Sequence, residues 1–399
     1  MDNGYDFTKG ARRMANAPAS MIRTIMNRAA ELQEEGKPVI KFSAGEPNFN
    51  TPSDIKEAAI RAITNNYTHY TSNKGFDPLR KEISKYMKEF TGVYFEPKTE
   101  IFVTSSAAEA LNNAMFAFID PGDEVIIPTP SFVTYKALTA MCGATMVEIP
   151  LRGEDNFQLQ LKDLENAVSP KTKMLVLNNP CNPTGAVIPY ETMKGICELA
   201  KKYNFLILAD EIYGRLIYGD AKFYSVASFP DMKERTIVVS GFSKTFAMTG
   251  WRIGYICTAA KYLPVLLRCH QYSTTCSPTF IQVALAEAMN SNLTRKQVDS
   301  MLNEFAARRD LVMQELDTIP GLSYSIPQGA FYILVNVSGL HMKGTEFSQK
   351  CLEEAYVATV PAIGLGENTD TYVRFSYAAS QEDIREGFRR IREMVKQLV

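Results

Sequence analysis

The strongest constraint on the fold is the alternation of short, mainly apolar runs with longer amphipathic segments. Such short apolar runs, bounded by polar residues, are typical of strands that are covered on both faces. The segments between them have helical periodicity, as in Tyr190–Tyr203 (YETMKGICELAKKY). The alternation predicts an α/β fold with a mostly parallel sheet covered by helices. The predicted strands contain Glu124–Ile127 (EVII), Met174–Leu177 (MLVL), Phe205–Ala209 (FLILA) and Thr236–Val239 (TIVV).

The C-terminal part has a different pattern. Phe331–Val337 (FYILVNV) and Tyr372–Ser376 (YVRFS) are predicted strands, and Gln381–Leu398 is a predicted charged amphipathic helix. A chain of 399 residues favours more than one domain. We therefore expect a large α/β domain at residues 46–288 and a smaller α+β domain formed by residues 1–45 together with 289–399.

Composition argues against several classes of function. The 43 Lys and Arg residues balance 44 Asp and Glu residues, so the chain lacks the basic surface that nucleic acids and anionic membranes attract. The 7 cysteines form no C-x-x-C pair and the 3 histidines lie far apart, so no metal site is predicted. The N-terminal residues MDNGYDFTKGARR do not resemble a signal peptide, and no apolar run is long enough to span a membrane. We expect a cytoplasmic protein.

Polar residues follow four of the predicted strands. The FLILA run is followed by Asp210-Glu211-Ile212-Tyr213, and TIVV is followed by a segment that contains Lys244 and Arg252. MLVL precedes NNPCNPTG at residues 178–185, and IFVT precedes SSAAEA at residues 105–110. Because parallel strands end at one edge of a sheet, we expect these groups to meet there.

This combination suits one kind of chemistry. A lysine amine forms Schiff bases with carbonyl compounds and with pyridoxal phosphate. That cofactor also needs an acid at its pyridine nitrogen, donors at its phenolic oxygen and an anion site for its phosphate. Helix starts and arginine side chains provide anion sites. Any one of these residues could be an ordinary cap, turn or solvated side chain, so the hypothesis depends on their joint occurrence.

The segment Gly241–Gly254 (GFSKTFAMTGWRIG) resembles the lysine signature of the class I, fold type I, pyridoxal-phosphate aminotransferases. The similarity extends over nearly the whole chain, with motifs closest to those of aspartate and aromatic aminotransferases. It implies transfer of the amino group of aspartate or an aromatic L-amino acid to 2-oxoglutarate or a similar 2-oxo acid, by a ping-pong mechanism. The other similar motifs are SAGEP at 43–47, YTSNKG at 70–75, DPGD at 120–123, GAFY at 329–332 and RFS at 374–376.

The resemblance implies a role for each cofactor-binding residue. Lys244 would form the Schiff base and move protons, Asp210 would hold the pyridinium proton, and Tyr213 would hydrogen-bond the phenolic oxygen. Asn182 would also hydrogen-bond the phenolic oxygen, and the ring of Phe132 would stack on the pyridine. The phosphate would be bound by Ala107, Ala108, Ser243, Arg252 and Tyr70.

The resemblance also implies how substrate binds. Arg374 would hold the α-carboxylate as a bidentate fork, and Asn182 and the backbone of Gly45 would touch the same group. Tyr70 would reach the phosphate of the other subunit, which implies a homodimer with shared active sites. Two departures from the family pattern occur: Gly241 stands where some relatives have a phosphate-binding serine, and Phe132 replaces the tryptophan of aspartate-specific relatives. The residue that reads the substrate side chain is left open.

Three alternative functions are less consistent with the sequence. A C–S β-lyase of the same fold would use the same cofactor residues, and only the closer aminotransferase motifs argue against it. A non-catalytic regulator would carry a DNA-binding domain before this fold, whereas 44 residues that are not notably basic precede Gly45. A nicotinamide-dependent enzyme is disfavoured because the string Gly364-Leu365-Gly366-Glu367-Asn368-Thr369 lacks the third glycine of the dinucleotide motif.

Overall fold

The computed structural model of the protein describes residues 8, 10–15, 17 and 21–398. The helices of this part are α1 (Arg12–Ala15), α2 (Met21–Glu34), α3 (Ser53–Thr64), α4 (Asp77–Thr91), α5 (Ala107–Phe118), α6 (Thr134–Met141), α7 (Leu161–Ala167), α8 (Tyr190–Tyr203), α9 (Leu263–Ser273), α10 (Thr279–Ala288), α11 (Asn292–Asp317), α12 (Gly344–Glu353) and α13 (Gln381–Lys396). The strands are β1 (Ile40–Lys41), β2 (Ile101–Thr104), β3 (Glu124–Thr129), β4 (Thr145–Pro150), β5 (Thr172–Asn178), β6 (Leu206–Asp210), β7 (Thr236–Gly241), β8 (Gly254–Thr258), β9 (Ser323–Tyr324), β10 (Tyr332–Asn336), β11 (Val357–Ala358), β12 (Val360–Pro361) and β13 (Tyr372–Ser376).

The central element is a seven-stranded sheet in the order β2-β8-β7-β6-β5-β3-β4. Strand β8 is antiparallel to both of its neighbours, and the other adjacent strands in the sheet are parallel. The four apolar runs lie in β3, β5, β6 and β7, and the predicted helix Tyr190–Tyr203 is α8. The predicted mostly parallel α/β sheet is therefore confirmed.

The apolar runs are continuous because both faces of the sheet are covered. Every residue of β7 is buried. On one face, Val239 and Ile237 of β7 pack in a cluster with residues of α5 and α9. On the other face, Ile207 of β6 packs in a cluster with Met193 and Ile196 of α8. Because helices cover both faces of the sheet, a site can form at the carboxyl ends of the strands, where the polar residues lie.

A second, antiparallel sheet has the order β12-β13-β10-β9. It packs against the long helices α11 and α13, with Phe42, Phe375 and Phe388 at its centre and ring centroids 5.4 Å apart between Phe42 and Phe388. Strand β1 pairs in parallel with β11, so the residues just before Gly45 lie beside the C-terminal part of the chain. The division at residues 45/46 and 288/289 stays a prediction, and part of the 1–45 segment lies outside the described residues.

The cysteines and the apolar character of the helices complete the description of the fold. All seven cysteines lie in the described part of the chain, and each is a free thiol. Within the described ranges, none of the helices combines the length and the apolar character of a transmembrane segment.

Candidate active site

A cavity of about 640 Å³ lies at the carboxyl ends of the central strands, between the two sheets. Of the twelve residues predicted to form the site, Tyr70 alone is not among those lining this cavity, and its side chain is 87% exposed. The predicted contact of Tyr70 with a second subunit stays a prediction. The residues that the fold brings together are Gly45, Ala107, Ala108, Phe132, Asn182, Asp210, Tyr213, Ser243, Lys244, Arg252 and Arg374.

Lys244 follows strand β7 and projects into the cavity. Its ammonium donates a hydrogen bond to the carbonyl oxygen of Gly45. Burial lowers the pKa of Lys244 to about 8, although the carboxylates of Glu46 and Asp210 act against this change. A lysine with such a pKa has an appreciable neutral fraction near neutral pH, and the neutral amine is the form that attacks a carbonyl carbon.

Asp210 is the last residue of β6 and is buried at the floor of the cavity. Burial raises the pKa of its carboxyl to about 6, and hydrogen bonds from Tyr135 and from the Ile212 amide limit the rise. The Tyr135 hydroxyl donates to Oδ2 at 2.7 Å, and the Ile212 amide donates to Oδ1 at 3.2 Å. Both oxygens of the carboxylate are therefore fixed, and the side chain can orient a positively charged partner.

Tyr135 was not predicted from the sequence as a site residue. It lies in the first turn of α6, three residues after Phe132, and both residues line the cavity. Their rings meet edge to face with centroids 5.8 Å apart. Its position shortly after the end of β3 is the signal that could have identified it, because the carboxyl end of this strand lies at the same edge of the sheet.

Arg374 comes from β13 of the second sheet and reaches the cavity across the junction of the two sheets. Its side chain is buried, and it donates to Asn182 Oδ1 and to the Ser43 carbonyl, both at 3.0 Å. The guanidinium lies over the Tyr332 ring, 4.6 Å from its centroid. Within the described structure, its buried Nε has no hydrogen-bond partner. A buried cation with an unsatisfied donor is a suitable binding group for a carboxylate ligand.

Tyr213 and Asn182, which lie close to Arg374, are each fixed by a neighbouring residue. The Tyr213 and Tyr332 hydroxyls are 3.0 Å apart, and burial raises the pKa of Tyr213 well above its ordinary value. The backbone amide of Asn182 donates to Asn178 Oδ1 at 2.8 Å, which fixes the turn that carries the Asn182 side chain. Tyr213 is thus kept as a neutral hydroxyl that can donate a hydrogen bond.

The start of helix α5 forms another wall of the cavity. The first amides of a helix have no intrahelical acceptor, so Ala107 and Ala108 can bind an anion. Ser106, which precedes them, has a φ of 88°. A Cβ atom at Gly254 would lie 2.6 Å from the Ala107 nitrogen, so only glycine allows the helix start to approach β8 this closely. At Gly241 a Cβ would lie 3.0 Å from the Cα of Gly254, so the two strands also approach closely at this point.

Glu211, next to Asp210, is a buried acid with a different environment. The Ser225 hydroxyl donates to its Oε1 at 2.8 Å and the Val226 amide at 3.2 Å. Burial raises the pKa of Glu211 to about 8 despite these hydrogen bonds. The folded protein therefore binds a proton at Glu211 more tightly than the unfolded chain does, so stability is lost as pH rises from about 4.5 to about 8.

We expect Glu211→Gln to remove this pH dependence. The amide of glutamine can still accept the two hydrogen bonds but carries no charge. The free energy of unfolding of Glu211→Gln relative to the wild type should rise by about 3 to 4 kcal/mol between pH 5 and pH 8, since each pH unit between the unfolded and folded pKa values corresponds to about 1.4 kcal/mol. Urea unfolding of both cofactor-free proteins across this range measures the difference. Parallel stability curves would contradict the raised pKa.

The fold and this site define a class of enzyme. A partly buried lysine, an aspartate at a strand end and an arginine from a second sheet share one cavity, as expected for a fold type I transferase. The family model described as "Aminotransferase class I and II" matches residues 37–391, and the chain belongs to this family. The resemblance inferred from the sequence motifs is thereby confirmed.

Individual relatives agree with this assignment. The aspartate aminotransferase of Pyrococcus horikoshii is 39% identical over 386 residues, which cover 97% of each chain. Aromatic-amino-acid aminotransferase 2 of Thermococcus litoralis is 37% identical, with 90% of this chain and 92% of that protein covered. The structure of the aspartate aminotransferase from Thermus thermophilus with maleate matches with a TM-score of 0.92 at 34% identity, and covers 96% of this chain and 99% of that one. The fold type I architecture is therefore confirmed.

Proposed function

We propose that the protein binds pyridoxal phosphate through Lys244 and transfers the amino group of an L-amino acid to a 2-oxo acid. One observation carries the proposal: the amine of Lys244, the buried carboxylate of Asp210 and the guanidinium of Arg374 face the same cavity. These are the three charged groups that a Schiff base, a protonated pyridine and a substrate carboxylate respectively require.

The residues around the cavity fit the cofactor. Asp210 is buried with both oxygens fixed, so it can keep a pyridine nitrogen protonated. Tyr213 and Asn182 can donate to the phenolic oxygen, and Phe132 supplies an aromatic ring. For the phosphate, the chain offers the amides of the α5 start together with two side chains after β7. The phosphate-binding residues would be Ala107, Ala108, Ser243 and Arg252.

The protein's own groups account for binding and proton transfer. When bound, pyridoxal phosphate supplies an electron sink that stabilises a carbanion at the substrate's α-carbon and holds the amino group between the two half-reactions. Arg374 and Asn182 fix the α-carboxylate, which orients the α-hydrogen. Lys244 Nζ, with its pKa lowered towards the physiological range, can take that proton and return one.

For the substrate, we propose aspartate or an aromatic amino acid as donor and 2-oxoglutarate or a similar acid as acceptor. The relatives with these activities in their names are 39% and 37% identical to this chain. Apolar side chains that line the cavity, among them Ile22, Met26 and Phe132, would suit an aromatic side chain. The alternative is a C–S β-lyase, which would share the cofactor residues.

The absorbance spectrum of the purified protein tests the proposal. A visible band of bound pyridoxal phosphate should bleach on addition of aspartate or tyrosine and return with 2-oxoglutarate. Release of pyruvate from cystathionine without bleaching would favour the lyase. A protein that takes up no pyridoxal phosphate would refute the proposal.

A prediction for Arg374 follows from its two fixed hydrogen bonds. Arg374→Lys keeps the charge but loses the planar fork, so kcat/KM should fall about 100-fold for every amino acid alike, chiefly through KM. Steady-state kinetics with aspartate and with tyrosine measure this effect. The control is Arg389→Gln, which removes an exposed arginine paired with Glu386 and Glu393. A loss restricted to one substrate would instead assign Arg374 to the side chain.

We further propose that the protein acts as a cytoplasmic homodimer. Tyr70 and Tyr272 are 87% and 83% exposed, an unusual environment for two large aromatic side chains. Tyr70 lies in the loop before α4 and Tyr272 lies in the last turn of α9, and the two segments are joined, since the Asn73 side chain donates to the Thr275 carbonyl at 3.1 Å. These features support a partner surface at this point. Light scattering that gives the mass of a single chain would contradict the dimer.

A further inference from the structure

A buried polar cluster lies behind the start of helix α5, outside the cavity, and has no role in the proposed function. Its centre is the carboxylate of Glu109, in the first turn of the helix. His270 of α9 is fully buried, and its Nδ1 donates to Glu109 Oε1 at 2.6 Å. The two residues are 161 positions apart in the chain, so the pair joins two separate helices.

The carboxylate of Glu109 accepts hydrogen bonds from residues of the β2–α5 turn, of α5 and of α9. The amide of Ser105 donates to Oε2 at 2.5 Å, the Asn113 side chain to Oε1 at 3.0 Å, and the Ser273 hydroxyl to Oε1 at 3.3 Å. Burial acts to raise the pKa of Glu109, but the hydrogen bond from His270 and the other donors hold it below its usual value. The side chain is therefore held as a carboxylate that is fixed on all sides.

The bond from Ser105 connects this cluster to the cavity. Ser105 and Ser106 form the turn between β2 and α5, and Ser106 has the left-handed φ of 88°. The Ser105 hydroxyl also donates to Ser277 Oγ at 3.3 Å. Because the Ser105 amide is tied to Glu109, the position of the next amides, those of Ala107 and Ala108, depends on where Glu109 is held.

Burial of the His270 side chain carries a free-energy cost. Its Nε2 is buried and has no hydrogen-bond partner among the described residues. An unsatisfied buried polar atom costs about 1 to 3 kcal/mol, a penalty that a hydrophobic residue at this position would not carry. On its other side, His270 contacts the Phe102 ring, with centroids 5.5 Å apart. The hydrogen bond from Nδ1 to Glu109 is thus the interaction that a histidine provides here and a hydrophobic residue would not.

We propose that His270 is a positioning residue for the phosphate end of the cofactor site, acting through Glu109 on the Ser105–Ala108 backbone. The inference rests on the proposed function, since the phosphate is that of pyridoxal phosphate. Glu109 is an anion near the start of a helix that is to receive another anion. His270, Ser105 and Asn113 engage its oxygens, which leaves the amides of Ala107 and Ala108 for the phosphate.

The test compares pyridoxal phosphate with pyridoxal, which lacks the phosphate. Binding to the cofactor-free protein is followed by quenching of Trp251, the one tryptophan in the sequence, which precedes Arg252. His270→Phe keeps a ring but removes the donor. It should weaken binding of pyridoxal phosphate about tenfold or more and change pyridoxal binding less than about twofold, as expected when a hydrogen bond to a charged group is lost.

Two variants control the comparison. His270→Asn places an N–H near the position of Nδ1 and should restore most of the affinity for pyridoxal phosphate. His341→Asn replaces an exposed histidine with a φ of 55°, a conformation that asparagine tolerates, and should change neither affinity.

The results for the two ligands distinguish the positioning role of His270 from a purely structural one. Equal weakening for both ligands, or no weakening for either, would overturn the positioning role. If His270→Phe shows no cooperative thermal transition, Glu109→Gln, which keeps the size of the side chain and removes its charge, is measured in the same way and should show the same selective loss. A wild-type protein that does not bind pyridoxal phosphate would refute the proposed function instead, before any variant is compared.

Discussion

Lys244→Ala is expected to abolish transamination, with kcat/KM reduced by at least roughly four orders of magnitude, or more than about 5 kcal/mol of transition-state stabilisation. The amine has two tasks in the proposed mechanism, covalent attachment of the cofactor and proton transfer at the substrate's α-carbon. Alanine can perform neither task, and no other lysine lines the cavity within the described residues except Lys41. The visible band of the covalently bound cofactor should also disappear.

The Lys244→Ala protein should remain folded. Loss of the packed aliphatic stem destabilises the chain, but removal of an amine whose pKa burial has lowered to about 8 relieves the cost of a buried charge near neutral pH. We therefore expect a melting temperature within a few degrees of that of the cofactor-free wild type. Lys261→Ala, at an exposed lysine paired with Glu234 at 2.9 Å, is the matched control and should keep full activity. Normal turnover by Lys244→Ala would refute the mechanism.

Asp210→Asn is expected to have the second largest effect, with a loss of about three orders of magnitude in kcat/KM. Asparagine fills the same space and can still accept the hydrogen bond from the Ile212 amide. It cannot hold a positive charge at the pyridine nitrogen, so the ring would lose its strength as an electron sink. Single-turnover measurements of the first half-reaction report this step directly, and a near-normal rate would show that another group holds the ring proton.

Tyr135→Phe gives a graded comparison with Asp210→Asn. The variant leaves the carboxylate in place and removes the 2.7 Å hydrogen bond to Oδ2. Since that bond lowers the pKa of Asp210, its loss should raise this pKa further above about 6. We expect a loss of about tenfold in kcat/KM, the effect of one hydrogen bond to a charged group. Activity equal to that of the wild type would mean that Tyr135 does not support Asp210.

Local patterns in the sequence were sufficient for much of this description. Continuous apolar runs indicate strands buried on both faces, and the runs in β3, β5, β6 and β7 lie where they were predicted. The residues after such strands must gather at one edge of the sheet, which made Asp210 and Lys244 candidates before any contact was known. The lysine segment at residues 241–254 then identified the family, because its residue types and spacing are specific.

Tertiary structure alone decided which distant residues meet. The antiparallel direction of β8 was not predicted, since a buried strand has the same apolar pattern in either direction. The bond between Tyr135 and Asp210 and that between Glu109 and His270 join residues 75 and 161 positions apart. Such contacts depend on how helices and strands pack against one another, which no local periodicity encodes. The sequence by itself therefore determined the chemical groups of the site, whereas packing decided their neighbours and hence their pKa values.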